Sequence, residues 1–164
     1  VWHEIDYASG WAPFEERFDF KPDFHERVQP AIRLHPDCLV LDLADLFSHS
    51  GPRIAAGAAA IAAAALRAFV WLAGEDEMVA LDWNHGAYRY SPARLAVVSG
   101  LDYSHVTVPI FPNGDYYAHM EPSLRWGTFG HPWQQSLCLW GPELTESLGA
   151  ELLTWLPRHP QSPM

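Results

Sequence analysis

The sequence predicts an α+β fold: a mostly antiparallel meander sheet with an Ala-rich helix and a C-terminal amphipathic helix packed on it. Three observations carry that prediction. Residues 105–140 alternate β-branched and aromatic runs with turn residues. Residues 51–73 hold a stripe of Ile, Ala and Phe at helical spacing. Residues 142–156 repeat that periodicity with Leu.

Taken in order, Trp11, Phe14 and Phe18 have i, i+3, i+7 spacing and predict a short helix over residues 11–18. Ser9 is its expected N-cap, and Pro13 falls in the first turn, where a missing N–H is tolerated. Residues 20–36 hold Pro22, Pro30 and Pro36 and read as irregular. Residues 38–43 read as a strand, and adjacent Val40 and Leu41 point to burial on both faces.

In the Ala-rich helix, Ile54, Ala58, Ile61, Ala65, Phe69 and Leu72 form one stripe, with Pro52 in the first turn and Gly74 at the end. Its length is about 30 Å, the thickness of a bilayer core. Arg67 inside it would cost roughly 2.5–3.5 kcal/mol near a bilayer centre, and Ala contributes little to insertion. A buried helix with Arg67 near the surface is therefore expected, and no membrane partner.

Residues 78–83 and 87–90 read as hairpin strands around Asn84-His85-Gly86, and residues 91–103 show no clear period. Asn113-Gly114 is a strong signal for a two-residue turn, here between expected strands 105–111 and 115–120. Pro109, lacking an N–H, must sit at an edge or bulge. Alternation puts Asp115, Tyr117 and His119 on one face, and Tyr116, Ala118 and Met120 on the other, expected core, face. Residues 124–129 read as a third strand, Gly130-His131-Pro132-Trp133 as a turn, and residues 134–140 as a fourth strand with Leu137 and Leu139 opposite Cys138 and Trp140. In the last helix Leu144, Leu148, Leu152 and Trp155 line one face, between Pro142 and Pro157. Residues 1–156 are expected to form a single globular domain, and residues 157–164, with Pro160 and Pro163, a flexible tail.

At 164 residues, 49% hydrophobic and 18% charged, the chain belongs with globular domains large enough for a real core. Asp and Glu number 20 against 10 Lys and Arg, a formal net charge of -10. That surface disfavours nucleic acid and leaves a protein partner or a small ligand. Cys38 and Cys138 sit in apolar runs and read as inert core thiols. Residues 1–7 carry Glu4 and Asp6 and no basic residue, unlike a secretory signal, so a cytoplasmic location is expected.

Four motifs stand out: Phe18-Asp19-Phe20-Lys21-Pro22; Leu81-Asp82-Trp83-Asn84-His85 with Tyr88 following; Pro112-Asn113-Gly114-Asp115-Tyr116-Tyr117; and Gly127-Thr128-Phe129-Gly130-His131-Pro132-Trp133. Together they resemble the signature of a family of uncharacterised bacterial proteins, a domain of unknown function. The resemblance spans nearly the whole chain and implies a fold but no activity. His119 and Gln134 stand where the resemblance implies an aromatic residue and an acid.

For chemistry, His85, Asp115 and His131 are the candidate catalytic residues, since a His with a carboxylate partner can act as general base. Asp82, Tyr88, Tyr117, His119 and Trp133 are candidate binding residues. The structural alternative is that Asp115 accepts turn N–H groups and His131 satisfies a buried network. His119, Glu121, His131 and Asp115 make only a weak metal set, without HExxH or paired cysteines, so no metal site is expected. No GxSxG elbow, phosphate loop or dinucleotide fingerprint is present, so no cofactor is expected either. The function expected is a non-enzymatic binding or protector (immunity-like) protein; the alternative is a small hydrolase-like enzyme using the His/Asp cluster.

Overall fold

The computed structural model describes residues 1–22, 30–99 and 105–164. Its strands are β1 (Trp2–Ile5), β2 (Leu39–Asp42), β3 (Met78–Asp82), β4 (Gly86–Tyr90), β5 (Tyr117–Met120), β6 (Gly127–His131) and β7 (Ser136–Trp140). The helices are α1 (Trp11–Phe18), α2 (Ala44–Phe47), α3 (Pro52–Ala73), α4 (Pro92–Ser99) and α5. The last runs over residues 142–152 as Pro142–Leu144, a π-helical stretch Thr145–Gly149, and Ala150–Leu152. The strands form a seven-stranded sheet in the order β1-β4-β3-β5-β6-β7-β2, and every pairing is antiparallel. The α+β class holds, and β5-β6-β7 is the expected meander.

Helices cover both faces of the sheet, so β2, β3, β6 and β7 are buried on both sides rather than on one. Leu39, Leu41, Met78, Ala80, Leu137 and Leu139 face α3 and α5, meeting Ile61, Ala65, Phe69, Leu144, Leu148 and Leu152. Val40, Val79, Leu81, Ala118, Phe129, Cys138 and Trp140 face α1, meeting Trp11, Phe14 and Phe18. The alternation read along residues 137–140 is therefore kept. By length and composition α3 could cross a membrane, and about a third of its most apolar stretch is buried in the fold. Arg67 is exposed, paired with Glu151 of α5.

Several expectations need correction. Residues 105–111 form no strand, and β5 pairs with β3 instead. With Pro109 in its middle that segment cannot donate a full ladder. It plugs the α3-side core through Val108, Ile110 and Phe111. Asn113-Gly114 is consequently not a hairpin turn: only Gly114 has positive φ, 138°. Ser9 does not cap α1; its N–H bonds to the Asp6 carboxylate, and no side chain caps that helix. β6 runs through His131, and the reversal falls on residues 132–135, with Gln135 at φ 51°. Trp155 lies beyond α5 and is exposed. β1 was not foreseen. The expected tail lies along β2: Asp42 N–H donates to Pro157 O, His159 N–H to Val40 O, and Val40 N–H to Ser162 Oγ. Of the expected irregular stretch 20–36, residues 23–29 lie outside the described residues, as do 100–104 of the aperiodic stretch.

Candidate functional site

The site is built where β3 ends. Asp82 is the last residue of that strand, opposite Tyr117 of β5 and Gly86 of β4. The chain then reverses through residues 83–85. Asn84 takes a left-handed φ of 67°, and the His85 N–H bonds back to Asp82 O at 3.1 Å. Asn reaches that conformation at low cost, which is why the turn can be this short. The reversal carries the His85 side chain back over the strand end. Its Nδ1 lies 2.9 Å from Asp82 Oδ1 and 3.6 Å from Asp115 Oδ2.

Asp115 arrives from the segment that precedes β5, and its Oδ1 accepts the Tyr116 N–H at 2.8 Å. The imidazole is 66% exposed, whereas both carboxylates are 16% exposed. Bonding to Asp82, then the charges of Asp82 and Asp115, holds the His85 pKa above its ordinary value. Burial raises the Asp115 carboxyl, with the like charge of Asp82 adding to it and the Tyr116 N–H opposing. Burial and those same two acids push the Tyr117 phenol up to about 12, so it stays protonated. Gly86 has no side chain, and the Tyr88 hydroxyl would sit 3.2 Å from a Cβ placed there.

The other candidates are elsewhere. His131 does not join His85 and Asp115. It is buried on the α1 side of the sheet, its ring edge-on to Tyr116 at 4.9 Å, and its Nδ1 accepts the Gln134 N–H. His119 is not presented to solvent: α3 covers its face of β5. Its Nδ1 faces Tyr90 Oη at 2.9 Å, and its Nε2 faces Pro109 O at 3.1 Å. Trp133 is exposed and leans on Tyr116 at 4.9 Å. The weak metal set is scattered, with Glu121 paired to Arg125 past the other end of β5.

Asp82, His85 and Asp115 could hold a cation. One ligand atom from each lies within 4.8 Å of the others, a spacing that a divalent ion or an ammonium could bridge. Among the described residues no hydroxyl or thiol is hydrogen-bonded to His85. Reading Asp82 only as a turn or binding acid missed its pairing with His85. The signal was the three-residue spacing across a turn that opens with Asn84.

The comparisons with known proteins bear on this geometry. The family model described as "Protein of unknown function (DUF2716)" matches residues 3–145. The "Uncharacterized protein YxiI" of Bacillus subtilis (strain 168) is 38% identical over 84 residues, 51% of this chain and 51% of its own length. The chain thus spans about half the length of this curated relative. No solved structure matches.

Proposed function

The chain belongs to the family of proteins of unknown function described as DUF2716, and from that premise we propose that it acts by binding rather than by turnover. The reading is a non-enzymatic binding domain, of the protector kind, that offers the acidic end of its sheet to a basic segment of a protein partner. The observation that carries it is the convergence of Asp82 and Asp115 on the exposed His85, with no nucleophile among the described residues bonded to the imidazole. A net charge of -10 would draw a basic partner to this surface.

A hydrolase using His85 as general base has one point in its favour, the orienting bond from Asp82. The raised pKa counts against it, because both carboxylates hold the proton on the imidazole and leave less of the free base.

The test is a titration of the 15N-labelled protein with a lysine-rich peptide at low and high salt. Shifts at the amides of Asp82, His85, Asp115 and Tyr117 are expected, fading with salt and in Asp115→Asn. The imidazolium competes with the peptide for the same carboxylates. Affinity should therefore rise as the pH climbs through the His85 pKa, which lies above 6.5. Absence of any shift at these four residues at low salt would overturn the reading. So would ester hydrolysis that disappears in His85→Ala.

A further inference from the structure

Cys38 and Cys138 are the two cysteines of the chain, and the fold brings them to one face of two neighbouring strands. Cys138 stands opposite Val40 in the β2–β7 ladder, and Cys38 lies two residues before Val40. Period two puts both thiols on the α1 side of the sheet, at diagonal positions. Both are free and buried. Their surroundings differ. Cys138 sits in the middle of β7, between β6 and β2, with its Sγ 3.9 Å from Leu139 O. Cys38 precedes the first ladder pair, Leu39 with Leu139. A turn holds it instead, its N–H donating to His35 O at 3.0 Å, and Pro36 and Asp37 of that turn are exposed. The interaction between the two sulfurs pulls the Cys38 thiol below its ordinary pKa, against the opposing effect of burial. The same interaction pushes Cys138 up, and burial adds to it.

We propose that the two cysteines are a peroxide-sensitive couple, in which Cys38 takes the oxidation and Cys138 resolves it as a disulfide joining β2 to β7. The Cys38 thiolate attacks one oxygen of hydrogen peroxide. An S–O bond forms, the O–O bond breaks, and the leaving hydroxide takes a proton to become water, so that Cys38 is left as a sulfenic acid. The Cys138 sulfur then attacks the Cys38 sulfur. The S–S bond forms, the S–O bond breaks, and the departing hydroxide leaves as water with the Cys138 proton. The two thiols thus give up two hydrogens and two electrons, and one peroxide becomes two waters. The order of roles follows from place and charge. The thiol with the lower pKa carries more thiolate, the form that reacts. Local opening of the exposed turn before β2 uncovers Cys38 and leaves Cys138 inside the sheet. Diagonal neighbours stand roughly 7–8 Å apart between Cα atoms, about 1 Å more than a disulfide usually spans. Closure therefore draws the start of β2 towards β7, at a residue that no ladder pair fixes. The couple lies at the other end of the strands from Asp82, His85 and Asp115 and does not depend on binding there.

The experiment treats the full chain with hydrogen peroxide in native buffer, quenches with catalase, then unfolds it in urea and alkylates the remaining thiols. Both cysteines should alkylate before treatment and neither after it. The digest should then hold a Cys38–Cys138 linked peptide, and dithiothreitol should restore both thiols. Dimedone, which traps sulfenic acid, should label Cys38 in Cys138→Ser and leave Cys138 unlabelled in Cys38→Ser. Circular dichroism before treatment reports whether each variant is folded. Where a serine variant does not fold, dimedone added during oxidation of the unaltered chain takes its place. The adduct belongs on Cys38, and the disulfide should be lost in proportion. Two thiols that still alkylate after peroxide would overturn the proposal. So would sulfinic acid at either cysteine without the linked peptide, or a disulfide formed only between copies. Dimedone on Cys138 and not on Cys38 would overturn the assignment of roles.

Discussion

His119 is a neutral imidazole whose site disfavours a second proton. It is fully enclosed, Tyr90 and the Pro109 carbonyl occupy its two nitrogens, and burial depresses its pKa to about 4. The unfolded chain takes up that proton near pH 6.5, whereas the folded chain resists it until about pH 4. Stability present above 6.5 is therefore lost as the pH falls through this window, on the order of 3 kcal/mol. Urea midpoints at pH 7 and pH 4.5 should show the loss, and His119→Phe should flatten the slope even if its own stability is lower. His85 shifts the other way. Its NMR titration should centre above 6.5 and move down in Asp82→Asn; an unchanged midpoint would mean that Asp82 does not hold the proton. Sequence alternation correctly placed Tyr117 and His119 on one face of β5. It could not tell that α3 covers that face, because period two reports which side chains share a side and not what lies over them. His85 and Asp115 lie within 3.6 Å of each other, whereas His131, which also sits near a strand end, is buried apart from them.

The elements were most legible where local chemistry decides. α1, α3 and the β3–β4 hairpin follow their spacing and turn residues closely. The failures are places where a non-local partner overrode the local signal. Residues 105–111 have strand propensity, yet β3 takes the position beside β5. In α5 and the turn after it, the buried residues Leu144, Leu148, Leu152 and Leu156 recur every four residues, which drifts around a helix of 3.6 per turn. The wider π-helical turn at Thr145–Gly149 lets the spacing of four keep facing the sheet, and Trp155 is left outside. Trp155→Ala should therefore change the denaturation midpoint little, by about 0.5 kcal/mol or less, while Leu148→Ala should cost about 2–5 kcal/mol. β6 has a tighter constraint. A Cβ on Gly127 would lie 2.5 Å from the His119 carbonyl oxygen and 2.5 Å from the Trp140 ring, and the backbone atom cannot move aside. Gly127→Ala should cost about 1–3 kcal/mol or more; a wild-type midpoint would show that β5 and β6 can separate locally.

At the scale of the molecule, the sheet is a central layer with α1 on one face and α3 and α5 on the other, and its two ends carry different finishes. On the β2 side, the segment 157–162 supplies acceptors to Val40 and Asp42 and a donor to Val40. Deleting residues 157–164 should speed hydrogen exchange at the Val40 and Asp42 amides and lower the unfolding midpoint; unchanged protection there would mean that the segment does not hold the edge. On the β1 side, among the described residues, no strand pairs beyond Trp2–Ile5. Among the described residues one margin is hemmed and the other is not, and that bears on how far copies could stack in solution. Strand-to-strand growth needs two free margins on every copy, as in a fibril. Counted over the described residues, each copy brings one, so lateral joining through β1 would use up both free margins in a single step and halt at a closed pair.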